Sequence, residues 1–124
     1  MKLGRKITSG KYKKQKKRKK YEKGRDIRVV NIGKNKTKKI KGRGSTKKTV
    51  LLSTEIANIY NKKEKESKKV KIKNVLETPQ NRFWARQNRL AKGSIIETEI
   101  GKAKITNRPS QEGSVQAVLI EDSE

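Results

Sequence analysis

The sequence predicts a mainly β protein: a small antiparallel β-barrel with an extended basic N-terminal arm and room for one short helix near residues 79–91. Three observations lead there. Short β-branched or alternating runs recur between turn signals, about six in all, which suits a small sheet closed or nearly closed on itself. The apolar residues are segregated: of 36, only Met1, Leu3, Ile7, Tyr12 and Tyr21 precede Ile27, and the other 31 lie between Ile27 and Ile120. Charge is segregated the other way, with a net +20 in residues 1–48 and +4 in residues 49–124. A chain of 124 residues has room for one domain plus a tail. It divides into an arm, 1–26, a barrel body, 27–120, and an acidic tail, 121–124.

Residues 11–20 hold eight Lys/Arg in ten positions, broken only by Tyr12 and Gln15, and no acid comes before Glu22. Such a run cannot fold on itself, because its charges repel and it has almost no apolar surface to offset the entropy of ordering. Alone in water it should be disordered. Residues 11–22 are good helix formers once a polyanion neutralises them.

Residues 27–32, IRVVNI, read as a strand, and 33–36 as a turn. Residues 37–41 make a short strand anchored only by Ile40, and 42–48 a flexible basic loop. A further strand begins at 49–52, TVLL, and either breaks at Ser53 or runs on through Ile56 and Ile59. Residues 61–69 read as a charged loop. Val70, Lys71, Ile72 and Lys73 alternate strictly, the mark of a half-buried strand.

For 79–91, Thr78 is a suitable N-cap, Pro79 suits the first helical position and Gly93 the stop. A helix there would align Arg82, Arg86 and Arg89 in one stripe, with Phe83 and Leu90 on a separate face toward the body. Residues 94–107 read as a hairpin turning at Gly101, with Ile96, Thr98 and Ile100 on one face and Ala103 and Ile105 returning inward. After a turn at 107–113, residues 115–120 form the most apolar run, expected to be the central strand.

Cysteine and histidine are both absent. That excludes disulfides, thiol nucleophiles, zinc sites built on Cys or His, and His general bases. No segment approaches the ~20 apolar residues that span a bilayer, and the N-terminus lacks a secretory apolar run. The expectation is a soluble intracellular protein that is not an enzyme, with no cofactor, metal, membrane or small-molecule substrate. Glu97 and Glu99 share a strand face, but pairing with Lys102 or Lys104 across the hairpin is their expected role, not catalysis.

A near-neutral body behind a strongly basic front half is the asymmetry of a polyanion binder. The candidate RNA-binding residues of the arm are Arg5, Lys6, Lys11, Tyr12, Lys13, Lys14, Lys16, Lys17, Arg18, Lys19, Lys20, Tyr21, Lys23 and Arg25, with Arg28 just beyond. Lysines neutralise phosphates and release counterions, arginines also fork onto phosphate oxygens, and the two tyrosines can stack on unpaired bases. Further candidates are Arg43, Lys47 and Lys48 in the glycine-rich loop and the stripe Arg82, Arg86 and Arg89. Trp84, the single tryptophan, fits a core or covering role better than a stacking platform.

Two motifs resemble a known family. One is Lys6-Ile7-Thr8-Ser9-Gly10-Lys11, followed by Arg18-Lys19-Lys20-Tyr21-Glu22-Lys23-Gly24-Arg25. The other begins Thr78-Pro79-Gln80-Asn81. It continues with Lys92-Gly93-Ser94-Ile95-Ile96-Glu97-Thr98, then Gly101-Lys102-Ala103-Lys104-Ile105-Thr106-Asn107-Arg108-Pro109, and ends with Gln111-Glu112-Gly113. In this order and over nearly the whole chain they resemble the small-subunit ribosomal protein eight-e family of archaea and eukaryotes, in its short archaeal form. Ser9-Gly10 stands where a Gly-Gly pair is common, and the start is brief. The resemblance implies a structural constituent of the small ribosomal subunit: a β-barrel whose arm lies in ribosomal RNA, beside other small-subunit proteins, in the cytoplasmic ribosome. The alternatives are a related family that assembles the large subunit, whose members are longer, and a cationic protein that coats DNA.

Overall fold

A computed structural model describes residues 4–13, 16–19, 21–24 and 27–120. The body combines two sheets. β1 (Asn31–Ile32), β2 (Lys36–Lys41) and β3 (Lys47–Thr54) form a three-stranded sheet in the order β1-β3-β2. β4 (Ile56–Asn61), β5 (Glu66–Glu77), β6 (Ile95–Thr98), β7 (Lys102–Ile105) and β8 (Gln116–Leu119) close a barrel in that order. The expected mainly β barrel is present, with one short helix, α1 (Arg82–Arg86).

The core is one apolar cluster, and strand alternation puts most of it there. In β5, Val70 and Ile72 are buried between exposed lysines; in β6, Ile96 and Thr98 face inward; in β7, Ala103 and Ile105. Leu51, Ile59, Leu90 and Val115 fill the remainder. The small side chains Ala103 and Ala117 suit so narrow a barrel. A register shift between Ile72 and Asn74 rephases β5, so Val75 rather than Asn74 turns inward.

Several elements depart from the sequence reading, each for a local reason. The strand expected at 27–32 is reduced to β1, which runs parallel to β3, with Asn31 opposite Ser53. Residues 27–30 instead run past the helical segment, where the Val30 carbonyl accepts the Leu90 N–H at 2.8 Å. The chain changes sheet at Glu55, not Ser53, where Thr54 Oγ1 accepts the Ile56 N–H at 3.2 Å. The 61–69 loop shrinks to a turn at 62–65, with Lys65 left-handed (φ 55°), and Glu66 already begins β5.

The helix spans five residues, and Asn81, not Thr78, caps it: Asn81 Oδ1 accepts the Phe83 N–H at 2.9 Å. Thr78 is buried against the Ser94 hydroxyl, and Pro79 lies outside the helix. Asn88 adopts φ 51° and ends the helical path well before Gly93. Phe83 is exposed and only Leu90 is buried, so the two do not share an inward face. Ile100 is also exposed, because the turn has begun there. β8 lies between β7 and β4, pairing with β4 in parallel, so one seam of the barrel is not antiparallel and no strand is central.

Residues 4–12 are not simply extended. They fold back through an Arg5–Lys11 bridge, with the Lys6 N–H donating to the Gly10 carbonyl at 2.8 Å. A second turn joins Lys19 to Glu22 and Lys23. The acidic tail, 121–124, lies outside the described residues.

Candidate nucleic-acid interface

In the arm, Arg5 and Lys6 flank a tight loop. The Arg5 guanidinium donates to the Ser9 carbonyl at 3.0 Å, and Ser9 takes the left-handed φ of 61° that closes the loop. Lys6 Nζ stands 5.8 Å from the Tyr12 ring centroid, and Lys19 Nζ 5.9 Å from that of Tyr21. Each tyrosine is therefore exposed beside a cation, a pairing that presents a π face and a positive charge together. Lys11, Lys13, Lys16, Lys17, Arg18 and Lys23 are exposed, whereas Lys14, Lys20 and Arg25 lie outside the described residues. Glu22 turns its carboxylate onto the Lys19 N–H at 3.0 Å, which caps the local turn.

The second cluster is a ribbon. β2 and β3 pair antiparallel across the turn 42–46, where the Gly42 N–H donates to the Thr46 carbonyl at 2.7 Å. A Cβ at Gly42 would meet that carbonyl oxygen at 3.2 Å, so glycine permits the closure. Arg43 sits in the turn; Lys47 and Lys48 belong to the strand, not to a loop. Lys41 stands directly opposite Lys47, and Ile40 opposite Lys48. The sequence contains no carboxylate from Ile27 to Thr54. Two lysines opposed across a ladder repel, and an external anion removes the penalty. Lys36, Lys38, Lys39 and Lys41 were not singled out from sequence; the pairing of β2 with β3 sets Lys41 against Lys47 and lines the other three along the same ribbon.

The third cluster is α1 together with the turn at its C-terminal end. Arg82 and Arg86 are exposed one turn apart. Arg89 leaves their stripe because the helix has ended. It is half-buried, its backbone bridges to Asn31, and its guanidinium lies 5.5 Å from the Trp84 ring centroid. Arg28, also half-buried, donates to the Ser110 carbonyl at 3.4 Å.

Among the described residues, ion pairing is concentrated at the β4–β5 turn, where Lys68 Nζ lies 3.0 Å from Glu64 and 3.6 Å from Glu66. The hydrogen bond and charge of Lys68 hold the Glu64 carboxyl below its ordinary range, and Glu64 holds Lys68 above its own. Glu97 stands opposite Lys102, the register expected for it, while Lys104 faces Ile95.

The model of the ribosomal protein S8e family matches residues 1–120. This chain belongs to that family. Small ribosomal subunit protein eS8 of Sulfurisphaera tokodaii is 43% identical over 119 residues, covering 95% of this chain and 93% of its own. The protein of the same name from Methanococcus aeolicus is 44% identical over 119 residues, with 95% and 93% covered. That of Nanoarchaeum equitans is 41% identical over 115 residues, with 93% and 91% covered. The S8e match takes in the arm, the ribbon, the helix and the whole barrel, so all three cationic clusters lie within it.

Proposed function

We propose that the protein is a structural constituent of the small ribosomal subunit, held in ribosomal RNA by its arm, the β2–β3 ribbon and the arginines of α1. It does no chemistry there, and its neighbours are RNA and other small-subunit proteins of the cytoplasmic ribosome. The observation that carries the reading is the unneutralised charge. The exposed cations of the arm and ribbon have no carboxylate partner among the described residues, and phosphates supply one. The names of the archaeal relatives support the subunit. On this reading residues 1–26 act as the RNA-threading arm and 27–120 as the body that fixes where it leaves.

The test is sedimentation of a tagged chain from lysate through a gradient at high salt. Contacts limited to exposed phosphates fade there, since each contributes roughly −0.7 to −0.9 to the log–log salt slope. The full chain is expected to stay with the small subunit, and a chain lacking residues 1–25 to leave it. Retention of the truncated chain, or migration of the whole one with large-subunit precursors or DNA, would overturn the proposal.

A further inference from the structure

A groove of about 340 Å³ lies between the 27–30 segment, the end of α1 and the 108–111 turn. The half-buried indole of Trp84 contributes flat apolar surface to it. Arg28, Arg89, Lys92 and Arg108 line the same space, and among the described residues no carboxylate does. Its walls are tied together. Gln80 Nε2 donates to the Lys92 carbonyl at 2.6 Å, Arg28 to the Ser110 carbonyl, and Arg89 stands against the Trp84 ring. The volume is at the small end of the ~300–1,000 Å³ usual for ligand sites.

A planar apolar wall and a cationic lining within one small space match one chemical object, a nucleotide. Phosphate alone would leave the indole without a role. An apolar ligand would leave the four cations without one. A base in a duplex cannot enter, because its faces are already stacked on its neighbours. We infer that the groove takes a single unpaired RNA nucleotide, with the base against Trp84 and its phosphate among Arg28, Lys92 and Arg108. The inference rests on the RNA-binding reading above and assigns Trp84 to recognition.

Trp84 is the only tryptophan, so its emission reports the groove. The full chain is titrated with an RNA duplex carrying one bulged nucleotide and, separately, with the same duplex fully paired. Binding is read from the anisotropy of a dye on the RNA. Groove occupancy is read from Trp84 emission, excited where tyrosine absorbs little. Both RNAs are expected to bind, while only the bulged one quenches Trp84, with the quench saturating along the binding curve. Arg108 is exposed, so Arg108→Gln leaves the fold intact; it is expected to weaken the quenching interaction by about tenfold and to spare most of the affinity for paired RNA. Equal quenching by both duplexes, or binding without quenching by either, overturns the groove assignment and leaves the ribosomal reading standing. If neither RNA binds, both fall.

Discussion

Ile96 is fully buried in β6, between β5 and β7. Ile96→Ala is expected to cost about 2–5 kcal/mol, read as a lower urea midpoint at unchanged slope. Asn81→Ala removes a cap from a helix of five residues and is expected to cost about 0.5–2 kcal/mol by the same measurement. A loss at Asn81 as large as that at Ile96 would mean that α1 is part of the core, not a cover. These two residues also mark what sequence reasoning can reach. Ile96 was legible because alternation in a strand leaves little choice of face. The cap was not, since Thr78-Pro79 reads as a helix start and only the tertiary pairing of Thr78 with Ser94 rules it out. Asn88 hides its role in the same way, because asparagine is tolerated in a helix and also tolerates the left-handed backbone that stops one.

Among the elements, the β2–β3 ribbon has competing demands. Its Lys41–Lys47 opposition weakens it when free and favours anions when bound. Lys41→Glu should therefore stabilise the free chain by about 0.2–1 kcal/mol, read as a slightly higher denaturation midpoint, while lowering RNA affinity and shallowing the salt slope. An RNA affinity equal to that of the unaltered chain would remove the ribbon from the interface. The ribbon was only half legible. Residues 42–48 carry the composition of a flexible loop, yet Lys47 and Lys48 pair with β2 across a tight turn, and the strand they begin is held further on, at Leu51, by the distant carbonyls of Pro109 and Glu112. The hairpin β6–β7 was read more closely, since its partners are adjacent and Gly101 marks the turn. The bulge in β5 left no mark in the alternation that precedes it.

Across the whole molecule, arm and body are separable in both charge and contact. Residues 1–25 carry 13 of the 36 Lys and Arg. Among the described residues, no hydrogen bond or ion pair joins 4–24 to 27–120. A chain without residues 1–25 should melt at nearly the same temperature as the full one. Its RNA salt slope should fall by at most about 9–12, the limit if every arm cation meets a phosphate. A large drop in melting temperature would show that the arm also holds the body together. At this scale the barrel itself was legible from short strands and segregated apolar residues. The parallel seam between β4 and β8 was not, because it joins segments more than fifty residues apart that carry no local sign of each other.

The three-stranded sheet ends at β2, and among the described residues that strand has no neighbour on its far side. An open row of backbone donors and acceptors is a template for a second copy of the same chain. Lys36, Lys38, Lys39 and Lys41 stand along this margin, so two such edges repel before they can align. On the RNA-binding reading proposed above, the lysines that take phosphate in the complex also serve the free chain as gatekeepers against self-association.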